Sequence, residues 1–266
     1  TREGVQCYNH LMQPIEKEIV TVDWEIDAAE KGGYEHFMFK EIMEQPEALR
    51  RCLSPRIREG EVVFEDFSLS KDFLQNMRRI YIVACGSSCH VGMVGKYHLE
   101  RLTRIPVEVA LGSEFRYMDP IVDRHTLVIV ISQSGETLDT MAALREARRL
   151  GGRILSIVNV VGSSIARESD QVLYTWAGPE IAVATTKAYT TQLALLSLLA
   201  LWMARRLGTV SGEEFQAALA AFQELPGKME EVLSRRDSIQ YLASRYFNHD
   251  SIFFIGRNLD YALGLE

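Results

Sequence analysis

Two short stretches gather hydroxyl groups and a glycine where an apolar run stops. One is "SQSGET", which sets Ser132, Gln133, Ser134, Gly135 and Thr137 directly after "TLVIVI". The other is "ACGSSCH", which sets Cys85, Gly86, Ser87 and Ser88 at the end of "RIYIVA". Each leads into a helical pattern. A helix N-terminus offers backbone N–H groups without intrahelical partners and a partial positive charge, which suits an anion. Ser and Thr hydroxyls add neutral donors. Neither turn contains Lys or Arg. That chemistry fits the phosphate of a small monoester. It does not fit a nucleoside triphosphate, because the Gly-Lys-Ser/Thr of a Walker loop is absent.

A third stretch, "GPEIAVATTKAYTTQ", follows the fifth apolar run. Val183 and Ala184 offer backbone groups there, and Thr185 or Thr186 is placed to cap the next helix. Glu180 either orients backbone or pairs with Lys187. Competing chemistry is weaker. Ser and Thr are ordinary N-caps, and "SGET" resembles a capping box around Glu136 or Thr137. "SQSGE" lacks the first glycine of the hydrolase elbow G-x-S-x-G. Cys85, Cys89 and His90 have the wrong spacing for a zinc knuckle, so no metal is assigned. His36, His98 and His125 read as surface or core residues.

Positioning these turns falls to the elements around them. From residue 79, short β-rich runs at 79–84, 107–111, 126–131, 153–158 and 171–176 alternate with helical stretches. That alternation predicts βαβ units and a mostly parallel five-stranded sheet with helices on both faces. In the flavodoxin-like strand order 2-1-3-4-5, the first and third strands are neighbours and their helices leave on opposite faces. The crevice at their carboxyl ends is then the topological switch point, where open α/β sheets bind ligands. Both serine turns fall there if the order holds.

Before the sheet, "EIVTVDW" (18–24) alternates like a strand. "YEHFMFKEIMEQ" (34–45) reads as a helix with Phe37, Phe39, Ile42 and Met43 on its apolar side. Pro46 stops it or starts a second helix through Cys52. "SKDFLQNM" (70–77) reads as helical. After the sheet come a long apolar helix over Thr186–Arg206, one or two helices over 212–247, and a new strand, "IFFIGR" (252–257). The division is a tail (1–33), a helical leader (34–78), the sheet domain (79–210), connecting helices (211–248) and the start of a further unit (249–266).

Composition sets bounds. The chain has 266 residues, 47% hydrophobic and 24% charged, which is ordinary for a globular α/β protein. A net charge of −7 without a basic stripe argues against a nucleic-acid partner. "REARR" (145–149) reads as a solvated helix face. The four cysteines form no disulfide framework, which suits a reduced, cytoplasmic setting. The longest apolar run, Leu193–Ala204, is shorter than the roughly 20 residues a membrane span needs.

Taken together, "ACGSS", "GSEFRY" (112–117), "SQSGET", "NVVGSSIARESD" (159–170), "EIAVATTKAYTTQ" and the leader "EKGGYEHFMFKEIMEQP" resemble the isomerase half of the glutamine–fructose-6-phosphate amidotransferases. "SQSGET" alone marks only the wider sugar-isomerase (SIS) fold, while the leader and "VATTKAYTTQ" narrow it. The resemblance covers nearly all of the chain. It implies a three-layer α/β/α SIS fold, with this chain holding the first of two such subdomains and the start of the second.

The resemblance also implies a ligand, fructose-6-phosphate or its product glucosamine-6-phosphate, with ammonia drawn from glutamine. It implies no cofactor, no membrane and no nucleic acid, and a homodimer. Residue by residue, it places Ser132, Gln133, Ser134 and Thr137 around the phosphate. It sets Cys85, Gly86, Ser87 and Ser88 along the sugar, with Val183 supplying a backbone contact. Ser87 stands where the family often has Thr. The isomerase base, the Schiff-base lysine, a partner-subunit histidine and the glutaminase cysteine have no counterpart here. No catalytic residue is therefore assigned, and an excised piece that binds without turnover is expected. The alternatives are a non-enzymatic phosphosugar-sensing SIS module and a single-domain isomerase. The first lacks a basic recognition helix beside it, and the second lacks an evident Glu/His pair on the crevice.

Overall fold

The computed structural model describes residues 6–16, 30–65 and 67–266. The alternating stretch at 18–24 lies outside them. The first described residues form a short antiparallel pair, β1 (Cys7–Tyr8) with β2 (Pro14–Ile15). The leader then folds as two helices, α1 (Phe37–Met43) and α2 (Gln45–Leu53). Pro46 stands in the first turn of α2, where a missing N–H removes no helical hydrogen bond. A 3₁₀ turn at Ser54–Arg56 leads to the antiparallel pair β3 (Ile57–Arg58) and β4 (Glu61–Val62). The short helix α3 (Lys71–Asn76) is capped by the Ser70 hydroxyl, which accepts from Phe73 N at 3.1 Å.

Of the apolar side expected for α1, Phe37, Ile42 and Met43 are half-buried and Phe39 is exposed, while the buried residues are Lys40 and Glu41. The reason is what α1 faces: a polar loop at the edge of the cleft described below.

The rest of the chain builds the sheet and its covering helices. In chain order these are β5 (Arg79–Ala84), α4 (Ser87–Thr103), β6 (Val107–Leu111), α5 (Gly112–Phe115), β7 (Thr126–Ser132), α6 (Leu138–Arg149), β8 (Arg153–Val158), α7 (Ser164–Glu168), β9 (Gln171–Tyr174) and α8 (Lys187–Leu207). The five strands are parallel in the order β6-β5-β7-β8-β9, which is the 2-1-3-4-5 order the sequence argument assumed. The fifth strand ends two residues earlier than its apolar run. Trp176, at φ +54°, turns the chain out of the ladder.

Strand side chains alternate between faces with period two. Ile80, Ile82, Leu127, Ile129, Leu155 and Ile157 pack under the helical layer that contains α8. Tyr81, Val83, Val128, Val130, Ile154 and Val158 pack on the opposite side with Phe115, Ala143, Leu144 and Ile165. Strands buried on both faces explain why β7 reads as an unbroken apolar run. Two more helices, α9 (Gly212–Ser234) and α10 (Arg236–Tyr246), follow, then α11 (Leu259–Gly264). The strand expected at 252–257 does not form. Ile252, Phe253, Phe254 and Ile255 are exposed, and among the described residues no backbone pairs with them in a ladder. A β-pattern becomes a strand only where a ladder partner is present.

Candidate functional site

Ala84 and Ile131 are register partners, so Cys85 and Ser132 begin the two serine turns side by side at the carboxyl edge of the sheet. Between them opens a cleft of about 380 Å³. It is lined by Cys85, Gly86, Ser87, Ser88, Ile131, Ser132, Gln133, Ser134, Thr137, Val183 and Thr185. All nine residues singled out from the sequence are therefore on one surface. None of the lining residues is Lys or Arg.

The "SQSGET" turn is held by its own hydroxyls. Ser132 Oγ accepts from Gly135 N at 3.0 Å and lies 3.0 Å from Thr137 Oγ1. Ser134 Oγ accepts from Glu136 N at 3.2 Å. Glu136 in turn accepts from Ser164 N at 2.7 Å, and Ile165 N donates to Gly135 O at 3.0 Å. Those bonds tie the turn to the start of α7. The Ser164 N–H also holds the Glu136 carboxyl below the usual range.

Thr137 precedes α6 but makes no side-chain cap to it, so the capping reading fails at this residue. A Ser134 oxygen already accepting an N–H keeps its own proton for another acceptor. With Gly135 N–H on Ser132, a Ser132 hydroxyl donating to Thr137 leaves the Thr137 proton for an anion as well.

The "ACGSS" turn is built differently. Gly86, at φ +55°, is the N-cap of α4 and offers it no side chain. Cys89 N donates back to Gly86 O at 2.8 Å. Ser88 Oγ donates to Gln192 Oε1 of α8 at 3.0 Å, and Thr140 Oγ1 lies 3.4 Å from Cys85 Sγ. Burial pushes the Cys89 thiol up, and the neighbouring Cys85 adds to that rise. Among the described residues no group of three or more His, Cys, Asp or Glu side chains could hold a metal ion. His90 instead meets Glu266 at 2.7 Å.

The third wall is the loop between β9 and α8. Thr186 is the N-cap residue of α8, but its side chain makes no cap. Glu180 does that work: its Oε1 accepts from Thr186 N at 2.9 Å and Ala188 N at 3.1 Å. Glu180 thus orients backbone, while Lys187 pairs with Glu44 at 2.6 Å. Burial raises the Glu180 carboxyl, the two backbone N–H groups oppose that rise, and nearby Glu41 adds to it.

Two contributors escaped the sequence reading. Thr185, read as a candidate cap in a segment that could join the crevice but not singled out as a site residue, lines the cleft. Asn159, at the end of β8, fixes the turn after β9. Its Nδ2 donates to Gly178 O at 2.8 Å, and its Oδ1 accepts from Thr175 Oγ1 at 2.8 Å and Ala177 N at 2.9 Å. A polar residue directly after a buried strand was the available signal.

Comparison with known proteins agrees with this geometry. The SIS domain family matches residues 73–202. The chain is 51% identical to a glutamine–fructose-6-phosphate aminotransferase [isomerizing] of Clostridium acetobutylicum, over 100% of this chain and 44% of that protein. It is 46% identical to the protein of the same name from Thermus thermophilus, over 97% of this chain and 42% of that one. Among solved structures, the C-terminal domain of glucosamine-fructose-6-phosphate aminotransferase from Francisella tularensis superposes with a TM-score of 0.83 at 34% identity. That match covers 88% of this chain and 66% of that one. The chain thus spans less than half the length of the curated relatives it matches.

Proposed function

From the membership of this chain in the SIS-domain family, within its glutamine–fructose-6-phosphate aminotransferase branch, we propose that the cleft binds the phosphosugar of that reaction, fructose-6-phosphate or glucosamine-6-phosphate. One observation carries the reading: a cation-free cleft at the switch point, lined by both serine turns and the 183–185 loop. Ser132, Gln133, Ser134 and Thr137 take the phosphate, through hydroxyls and the N-terminal N–H groups of α6. Cys85, Gly86, Ser87, Ser88 and Val183 take the sugar. In this reading the chain contributes binding, and the groups that isomerise and aminate the sugar come from outside these residues. The partial coverage of the curated relatives supports that division. A homodimer, a cytoplasmic location and ammonia supplied by a glutaminase half belong to the same proposal. No described helix is long and apolar enough to cross a membrane.

Calorimetric titration with glucosamine-6-phosphate, using glucosamine as control, tests it. The phosphate ester binds and glucosamine does not. Ser134→Ala with Thr137→Ala weakens binding by about tenfold or more, as loss of two hydroxyl donors to an anion requires. Absence of heat at millimolar phosphosugar, or equal affinity of the double variant, rejects the cradle.

A further inference from the structure

The loop that forms the third wall is gripped at both ends by carboxylates, one half-buried and one buried. At one end Glu180 holds Thr186 N and Ala188 N. At the other, Glu41 Oε1 accepts from Ile181 N at 2.6 Å and from Ala182 N at 3.1 Å. Between the two grips lie Val183, Ala184 and Thr185, and of these Val183 and Thr185 line the cleft. Glu41 is not a local residue. It belongs to α1, 140 positions earlier and outside the 73–202 span matched by the SIS family. It is 2% exposed.

The surrounding contacts repeat the pattern. Lys187 meets Glu44, Thr190 Oγ1 donates to Gln45 Oε1 at 2.5 Å, and Arg51 donates to Trp176 O at 3.3 Å and Ala177 O at 3.2 Å. Every one of these joins the leader to the segment between β9 and the first turn of α8. The buried face of α1 is polar because its partner is a loop with backbone N–H groups to satisfy.

We infer that Glu41 is a positioning residue of the phosphosugar cleft, holding the 181–185 wall in place from a leader that lies outside the SIS unit. The inference rests on the phosphosugar reading of the cleft, and it adds that the SIS unit alone does not complete its own site. Removing the carboxylate takes the acceptor from the Ile181 and Ala182 N–H groups on a half-exposed loop, and the wall is freed to relax toward water. Glu41→Gln keeps an oxygen at the same reach. Its Nε2 falls where Glu41 Oε2 makes no hydrogen bond, so no existing bond is lost. Glu41→Asp keeps the charge but is one methylene too short.

The test uses the whole chain and two readouts: hydrogen exchange at the Ile181 and Ala182 amides, and titration with glucosamine-6-phosphate. Glu41→Ala and Glu41→Asp are expected to speed exchange at both amides and to weaken phosphosugar binding by about tenfold, leaving the β5 and β7 amides as in wild type. Glu41→Gln is expected to retain most of both. The inference is overturned if those two amides stay protected in Glu41→Ala. It is equally overturned if they open only together with the sheet, or if affinity is unchanged while they open. If wild type binds no phosphosugar, the reading of the cleft fails, and the two amides alone decide whether Glu41 holds the wall.

Discussion

Gly135 shows how closely the phosphate turn is packed. Its φ is +67°, and a Cβ built there would stand 2.0 Å from Ser163 Oγ and 2.5 Å from Ser163 Cβ. Two penalties would add in Gly135→Ala. The left-handed backbone costs a β-carbon residue about 1–2 kcal/mol, and the clash forces α7 away from the turn. Pairing it with Ser163→Gly relieves only the clash. Chemical denaturation should therefore place the double variant between wild type and Gly135→Ala, about 1 kcal/mol below wild type. A double variant no more stable than the single one would show that the turn, not the contact, sets the whole penalty. At this scale the sequence was informative. Ser132, Ser134 and Thr137 were legible as cleft-lining residues because two hydroxyl-rich turns ended strands expected to be neighbours. Glu41 was not, because a carboxylate among aromatic residues on a short helix looks like the solvated side.

Among elements, the packing of α4 on α8 decides where the "ACGSS" turn sits. Gly92 and Gly95 lie one turn apart on α4. A Cβ at Gly95 would come within 2.1 Å of Leu196 Cδ2, and one at Gly92 within 2.8 Å of Ile82 Cγ2. The helix backbone therefore lies against both α8 and β5, and that approach brings Ser88 within 3.0 Å of Gln192. Gly95→Ala overpacks this contact, at a cost of about 1–3 kcal/mol. Leu196→Ala opens a cavity, costing about 2–5 kcal/mol. Combined, the two changes occupy each other's space, so a double-mutant cycle should give a total smaller than their sum. Strict additivity would mean the helices separate instead of adjusting. The same scale holds the clearest misreadings. The most deeply buried residues of α1 are not the apolar ones expected, the Thr186 side chain does not cap α8, and 252–257 is not a strand. A contact outside each element decided: the 181–182 amides, the Glu180 carboxylate six residues before Thr186, and the lack of a ladder neighbour among the described residues.

For the molecule as a whole, His98 links stability to pH. It lies between α4 and α8, with Nδ1 2.7 Å from Ser197 Oγ. Burial holds its imidazole below the ordinary value of 6.5, and Arg101 adds to that depression. The unfolded chain therefore binds a proton at a higher pH than the folded one. Stability from this group is complete above about pH 6.5 and falls as pH drops toward the lower folded value. Urea midpoints measured at steps from pH 7.5 to 5 should fall for wild type more steeply than for His98→Gln, with parallel curves above neutrality. Parallel curves throughout would remove His98 from the acid sensitivity.

The parallel α/β class, the five strands and the two serine turns follow from local pattern alone. Apolar runs of strand length alternating with helices admit few other arrangements, and Gly and Ser at strand ends mark turns wherever the strands lie. The SIS resemblance came from the same short stretches. Tertiary structure alone decided which strands are neighbours and that one cleft unites residues 85–88, 132–137 and 183–185. It alone decided that a leader carboxylate secures the third wall. Strand order and buried polar contacts depend on pairings between residues far apart in the chain, and periodicity within a window carries no trace of them.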